Sequence, residues 1–191
     1  SPGTKGVVNI ERESGLSGEI YDKAHLIIQG LLRGKYAQDF PLALSASICF
    51  EQSYTEVDGD SASCAEFFAL ISAIARLPLR QDIAVTGSLN QLGDVQPVGG
   101  ITEKIEGFYD TCSLLGLTGT QGVIIPRRNL PNVLPSDRLL TAVQDGLFHI
   151  WAIDTIDEGL FLLSGMSPVD FGKTVAQNLL AFTEHLKDFY R

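Results

Sequence analysis

The sequence is short of the residues on which several kinds of chemistry depend. Its three cysteines, Cys49, Cys64 and Cys112, are an odd number, scattered, with no C-x-x-C pair. That excludes a disulfide framework and a zinc site of ordinary spacing, and reads as reduced, mostly buried thiols of a cytoplasmic protein. His25, His149 and His185 are equally dispersed, so metal chemistry has no support in ligand spacing. Basic residues are scarce: 14 Lys and Arg stand against 23 Asp and Glu, a formal net charge of −9. A nucleic-acid footprint would need the opposite balance. No apolar run approaches the roughly 20 residues of a membrane-spanning helix, and no secretory leader pattern is expected. A phosphate loop is missing too, since "GLLRGKY" at 30–36 lacks both the spacing and the Ser/Thr of G-x-x-x-x-G-K-[ST]. The abrupt opening Ser1-Pro2-Gly3 suits a piece of something longer.

What is present is a globular composition, 45% hydrophobic and 19% charged over 191 residues, enough for one domain spanning 1–191 with its own core. Residues 7–10 and 24–32 read as strand-like apolar runs, and 42–51 alternates bulky and small residues as a strand does. A turn at 57–60 precedes a helix carrying Cys64, Phe67, Phe68, Ile71, Ile74 and Ala75 on its apolar surface, stopped by Pro78. Strands are expected over 82–89 and 94–98, joined by a turn through Gly93. A second helix follows Gly99-Gly100, with Ile101, Ile105, Phe108, Cys112 and Leu115 on one face. Short strands at 122–125 and 148–152, a small helix at 136–145, another at 157–163 and a terminal helix over 169–189 complete an α+β or α/β pattern.

The chemistry centres on "EVDGDSAS", residues 56–63. Ser61 and Ser63 stand where a helix begins, and serine is a preferred N-cap; Ser63-x-x-Glu66 also fits a capping box. A nucleophile needs a sharp turn, free N–H groups for an oxyanion and a base. Gly59 permits the turn, and a helix start supplies unpaired N–H groups and a positive dipole end. No histidine sits in a motif that would make it the base. Lys104 is the alternative. It occupies the first turn after Gly99-Gly100, where the dipole disfavours a cation, and falls on the margin of the apolar stripe, opposite Glu103, Glu106 and Asp110. Burial there would neutralise it; the other reading is a lysine laying its stem along the core edge with its amine in water.

Three stretches, "VDGDSAS" (57–63), "RQDIAVTGSLNQLGDVQPVGGITEKIEGF" (80–108) and "GVIIPRRN" (122–129), resemble the proteolytic domain of Lon, the ATP-dependent protease, in order and spacing. The resemblance runs from the first strand to near residue 155. It implies the Lon proteolytic-domain fold, an α+β (α/β two-layer) arrangement related to the ribosomal-protein domain-2-like superfold. It also implies a Ser–Lys dyad: the serine of the acid-Gly-x-Ser-Ala turn lands on Ser61, with Asp58 and Gly59 as its acid and glycine, and the lysine of Gly-Gly-x-x-Glu-Lys lands on Lys104. Thr86, in the Thr-Gly strand end, is implied to hydrogen-bond the lysine. Asp60, where the commoner bacterial form has proline, and "FEQSY" at 50–54 resemble the LonB branch, and Asp60 is expected to pair with Lys104 in a resting state.

The family further implies a cytoplasmic homohexamer acting on unfolded proteins, with ATP and Mg used by an ATPase module elsewhere in the polypeptide and no cofactor or metal in this domain. Two other readings stay open: a non-catalytic, ring-forming Lon-like scaffold, and a peptide-binding module in which Ser61 only caps its helix.

Overall fold

A computed structural model describes residues 1–189. In chain order it runs β1 (Gly6–Asn9), α1 (Ile10–Glu13), α2 (Glu19–Tyr36), β2 (Ser45–Ile48), α3 (Ser63–Ala75), β3 (Ile83–Val85), β4 (Ser88–Leu89), β5 (Val95–Gln96), α4 (Ile101–Leu115) and β6 (Gly122–Pro126). A 3-10 turn over Arg127–Asn132 leads to α5 (Asp137–Gln144), β7 (His149–Ile153), α6 (Ile156–Ser164) and α7 (Pro168–Phe189). Helices and strands are thus mixed along the chain, as expected.

The run at 24–32 is a correction. It lies inside α2, whose buried residues Tyr21, Ala24, His25, Ile28, Leu31, Leu32 and Tyr36 recur every three or four positions. Nine apolar-rich residues suggest a strand; only the longer window reveals the helical period. The expected strand over 82–89 is also two elements. The chain turns between Val85 and Ser88: β3 pairs in parallel with β6, whereas β4 pairs antiparallel with β5 through the turn at Gly93.

The three-stranded parallel sheet, ordered β3-β6-β7, divides the interior. Ile83, Ile124 and Ile153 join Phe67, Phe68, Ile71, Leu160, Phe171 and Val175 in one apolar cluster, supplied by α2, α3, α6 and α7. Val123 and Ile125 point the other way, into a second cluster with Ile101, Ile105, Tyr109, Leu139 and Phe148. All five residues of β6 are buried, as a strand covered on both faces requires. Around this sheet the layering is therefore helix–sheet–helix, a departure from the two-layer expectation. It arises because α4 and α5, the two crossovers into β6 and β7, cover the face opposite α3. Leu115, expected on the apolar stripe of α4, is 85% exposed at the helix end, beyond the reach of the sheet.

The layering fixes the site. α3 and α4 pack on opposite faces of the sheet, and the residues just before α3 line one pocket with the first turn of α4 and the end of β3.

Candidate active site

Residues 57–62 form a turn stitched to its surroundings on two sides. On one side, Val57 donates its N–H to the Leu16 carbonyl at 2.9 Å and accepts from Gly18 N–H at 2.9 Å. Asp58 Oδ1 accepts from the N–H of Tyr21, in the first turn of α2, at 3.1 Å. The N–H groups of Gly59 and then Tyr21 hold the exposed Asp58 carboxyl below the usual carboxylate range. Gly59 has φ +91°, in the left-handed region that a side chain would strain.

On the other side the turn is tied to the corner between β3 and β4. Gly87 N–H donates to the Ser61 carbonyl at 2.9 Å, the Thr86 hydroxyl donates to the same oxygen at 3.3 Å, and Cys64 N–H donates back to the Gly87 carbonyl at 3.0 Å. Thr86 is anchored in turn by its own N–H on the Ile124 carbonyl at 3.0 Å. The carbonyl of Ser61 is thus fully engaged.

The Ser61 side chain is not engaged. Among the described residues, its hydroxyl has no hydrogen-bond partner, and neither do the backbone N–H groups of Ser61 and Ala62. Lys104 lies one turn into α4, its N–H bonded to the Gly100 carbonyl at 3.1 Å, and its ammonium makes no hydrogen bond or ion pair with a described residue. Ser61, Ala62, Thr86, Lys104, Ala84, Val85 and Val123 together line one pocket of about 270 Å³. A hydroxyl, an amine and two backbone N–H groups without protein partners thus belong to residues that line one partly apolar hollow, and these are the kinds of group that nucleophilic attack on a carbonyl requires.

Several sequence expectations change in detail. Lys104 is exposed in this chain, at the rim of the pocket, and is not carried into the interior. The expected Asp60–Lys104 pair is absent among the described residues; Asp60 Oδ2 instead accepts a 2.7 Å hydrogen bond from the Ser88 hydroxyl, which draws the carboxylate toward β4. Thr86 gives its proton to the Ser61 carbonyl and makes no hydrogen bond with Lys104 among the described residues, although both line the same pocket. Ser63 does not form the capping box: it is buried, donates its hydroxyl to the Asp60 carbonyl at 2.6 Å, and Glu66 accepts instead from Tyr21. Ser88 and Gly87, which hold the turn, carry no chemical signature that sequence reading could single out. Only their place after Thr86 hints at them.

Residues 43–162 match the family model described as Lon protease (S16) C-terminal proteolytic domain. The chain belongs to the Lon protease family. A Lon protease homolog of Escherichia coli is 50% identical over 155 residues, covering 81% of this chain and 26% of that protein. Another from Haemophilus influenzae is 46% identical over 167 residues, 87% of this chain and 28% of its own length. An archaeal Lon protease of Pyrococcus abyssi is 38% identical over 147 residues, 77% of this chain and 13% of its own. The chain thus spans about a quarter or less of the length of these Lon relatives. Among its described residues, no helix is long and apolar enough to cross a membrane.

Proposed function

We propose that this Lon-family chain is the peptidase domain of an ATP-dependent serine endopeptidase, with Ser61 as nucleophile and Lys104 as general base. The observation that carries this reading is that Ser61 and Lys104, whose side chains have no partner among the described residues, line the same pocket.

The chemistry balances without a cofactor in this domain. Neutral Lys104 takes the Ser61 proton while Oγ bonds to the peptide carbonyl carbon. The N–H groups of Ser61 and Ala62 receive the resulting oxyanion, each such donor being worth about 3–4 kcal/mol in the transition state. Collapse breaks the peptide C–N bond, and Lys104 returns the proton to the leaving amine. Water, deprotonated by the same lysine, then attacks the acyl carbon; the C–Oγ bond breaks, and Lys104 returns the proton to Ser61 Oγ. Thr86 steadies the turn by holding the Ser61 carbonyl. The exposure of Lys104 in the single chain makes its covering by bound substrate or by a neighbouring subunit part of the proposal, since only a desolvated lysine surrenders its proton readily.

Among the described residues β3 pairs with β6 alone, leaving its other edge open. The hollow of about 270 Å³ lies against Val85, as does a second groove of about 390 Å³ lined by Ala65, Phe68, Ala69, Ile83 and Leu79. An unfolded protein segment is therefore the fitting substrate class, since only an extended chain can follow a strand edge past Ser61. The proposal includes a homohexamer, a cytoplasmic setting and an ATPase module, with its ATP and Mg, in the remainder of the polypeptide.

The test is cleavage of casein by the full-length protein with ATP and Mg, comparing wild type with Ser61→Ala and Lys104→Ala. Wild type is expected to cleave and each variant to lose at least about 10³-fold, with circular dichroism unchanged. Lys104→Arg is not expected to rescue, because guanidinium stays protonated. Undiminished cleavage by Ser61→Ala would overturn the assignment.

A further inference from the structure

The turn that carries Ser61 rests on a residue outside the stretch matched by the family model. Tyr21 is fully buried at the start of α2 and holds the turn twice. Its backbone N–H donates to Asp58, three residues before Ser61, at 3.1 Å. Its hydroxyl donates to Glu66 Oε1, in the first full turn of α3, at 2.5 Å. Both flanks of the nucleophile are therefore fixed to one side chain and its own amide.

We infer that Tyr21 is a positioning residue for the Ser61 turn, acting through its paired hydrogen bonds to Asp58 and Glu66. This rests on the peptidase reading above for its catalytic consequence, though not for its structural one.

The surroundings make the hydroxyl bond decisive. Glu66 is 5% exposed, and the Tyr21 hydroxyl is its one side-chain hydrogen-bond partner among the described residues; Oε2 has none. The same polar cluster holds three more buried atoms without partners: Asn9 Nδ2, Glu11 Oε2 and His25 Nδ1. Among the described residues no other side chain bonds Glu66, so loss of the hydroxyl leaves its carboxyl without the donor it now has. Burial and the Glu66 carboxylate both push the Tyr21 phenol well above its ordinary range, so it remains a donor. An O–H donor to a buried carboxyl at this distance is among the stronger side-chain hydrogen bonds. A polar pair sunk beneath a helix start, where an apolar pair would pack at no desolvation cost, is costly for stability alone. Its return is orientation: α3 cannot slide or rotate on α2 without breaking it, and Ser61 moves with the first turn of α3.

The test separates position from stability. In the full-length protein, Tyr21→Phe is expected to lower kcat on casein about tenfold with KM unchanged, the size of one lost hydrogen bond to a charged group. Glu66→Gln keeps an acceptor for the hydroxyl and is expected to stay within about twofold of wild type. The double variant Tyr21→Phe/Glu66→Met replaces both partners with apolar groups of similar shape, which restores stability when a buried pair is removed as a unit. It is expected to recover thermal stability while kcat stays low. Hydrogen exchange read by mass spectrometry over 58–66 is expected to quicken about tenfold in Tyr21→Phe, with peptides of β6 and β7 unchanged. Exchange that quickens equally everywhere, or a double variant that regains kcat with its stability, would reduce Tyr21 to a structural residue and overturn the inference. If wild type does not cleave at all, the peptidase reading fails, and the exchange pattern still decides the role of Tyr21.

Discussion

Gly87 sits where the nucleophile turn meets the sheet, and replacing it by alanine gives a sharp quantitative test. Its amide holds the Ser61 carbonyl at 2.9 Å and its carbonyl receives Cys64 N–H at 3.0 Å. A Cβ built there lies 2.9 Å from Cys64 Sγ and 3.1 Å from Val95 Cγ1. Both neighbours are in the core, Cys64 at 0% and Val95 at 5% exposure, so neither has open space to yield into. Forcing one methyl into such a contact costs about 1–3 kcal/mol. For a chain of this size each kcal/mol lowers Tm by about 2–4 °C, giving an expected fall of about 2–12 °C. Because Cys64 is the second residue of α3, the strain is relieved by shifting the helix start that carries the Ser61 turn. A displacement approaching 1 Å reduces turnover by up to about 10²-fold, more than any loss of folded protein accounts for. The assay is differential scanning calorimetry beside casein cleavage for Gly87→Ala, Cys64→Ala and the double variant. Removing the sulfur opens the space the new methyl needs. The double variant is therefore expected to be at least about 1 kcal/mol more stable than the two single losses summed. Strict additivity, or a Gly87→Ala protein indistinguishable from wild type, would refute the reasoning.

Two further outcomes follow from the same turn. Burial raises the Glu66 carboxyl above its ordinary range, so the folded state disfavours its charged form. The stability of wild type relative to Glu66→Gln should then be greatest in acid and decline as pH rises from about 4.3 through the raised value, as read by urea unfolding between pH 4 and 8. A gap independent of pH would show that Glu66 does not titrate differently on folding. Ser88→Ala removes the 2.7 Å hydrogen bond that draws Asp60 toward β4. Without that tie the turn carrying Ser61 is held less firmly, and kcat on casein is expected to fall about threefold to tenfold with Tm nearly unchanged. An unchanged kcat would count against a role for that bond in holding the turn.

The sequence exposed the parts of the site that are local. Gly59 and Ser61 belong to one tight turn, and Gly100 and Lys104 to one helix start, so a few adjacent residues specify each. That the two starts meet depends on β3 lying between them, and no periodicity in either segment encodes the meeting; the family resemblance supplied it. The exposure of Lys104 escaped helix-wheel reasoning because a residue on the stripe margin is covered only if a neighbour reaches it. Asp60 and Ser88 stand 28 residues apart and Tyr21 and Glu66 stand 45 apart, polar pairs that appear only when the fold brings them together. The strand–turn–strand break at Thr86-Gly87 was hidden for a similar reason. Val85 and Ser88 are both compatible with strand, and what separates them is a change of partner from β6 to β5.

Covalent labelling of the full-length protein with a fluorophosphonate, mapped by peptide mass spectrometry, tests the dyad most directly. The account predicts a phosphonyl adduct on Ser61 in wild type, formed at least about 10²-fold more slowly in Lys104→Ala, with Ser63 unmodified in both. An adduct on Ser63, or labelling of Ser61 at the same rate without Lys104, would contradict it.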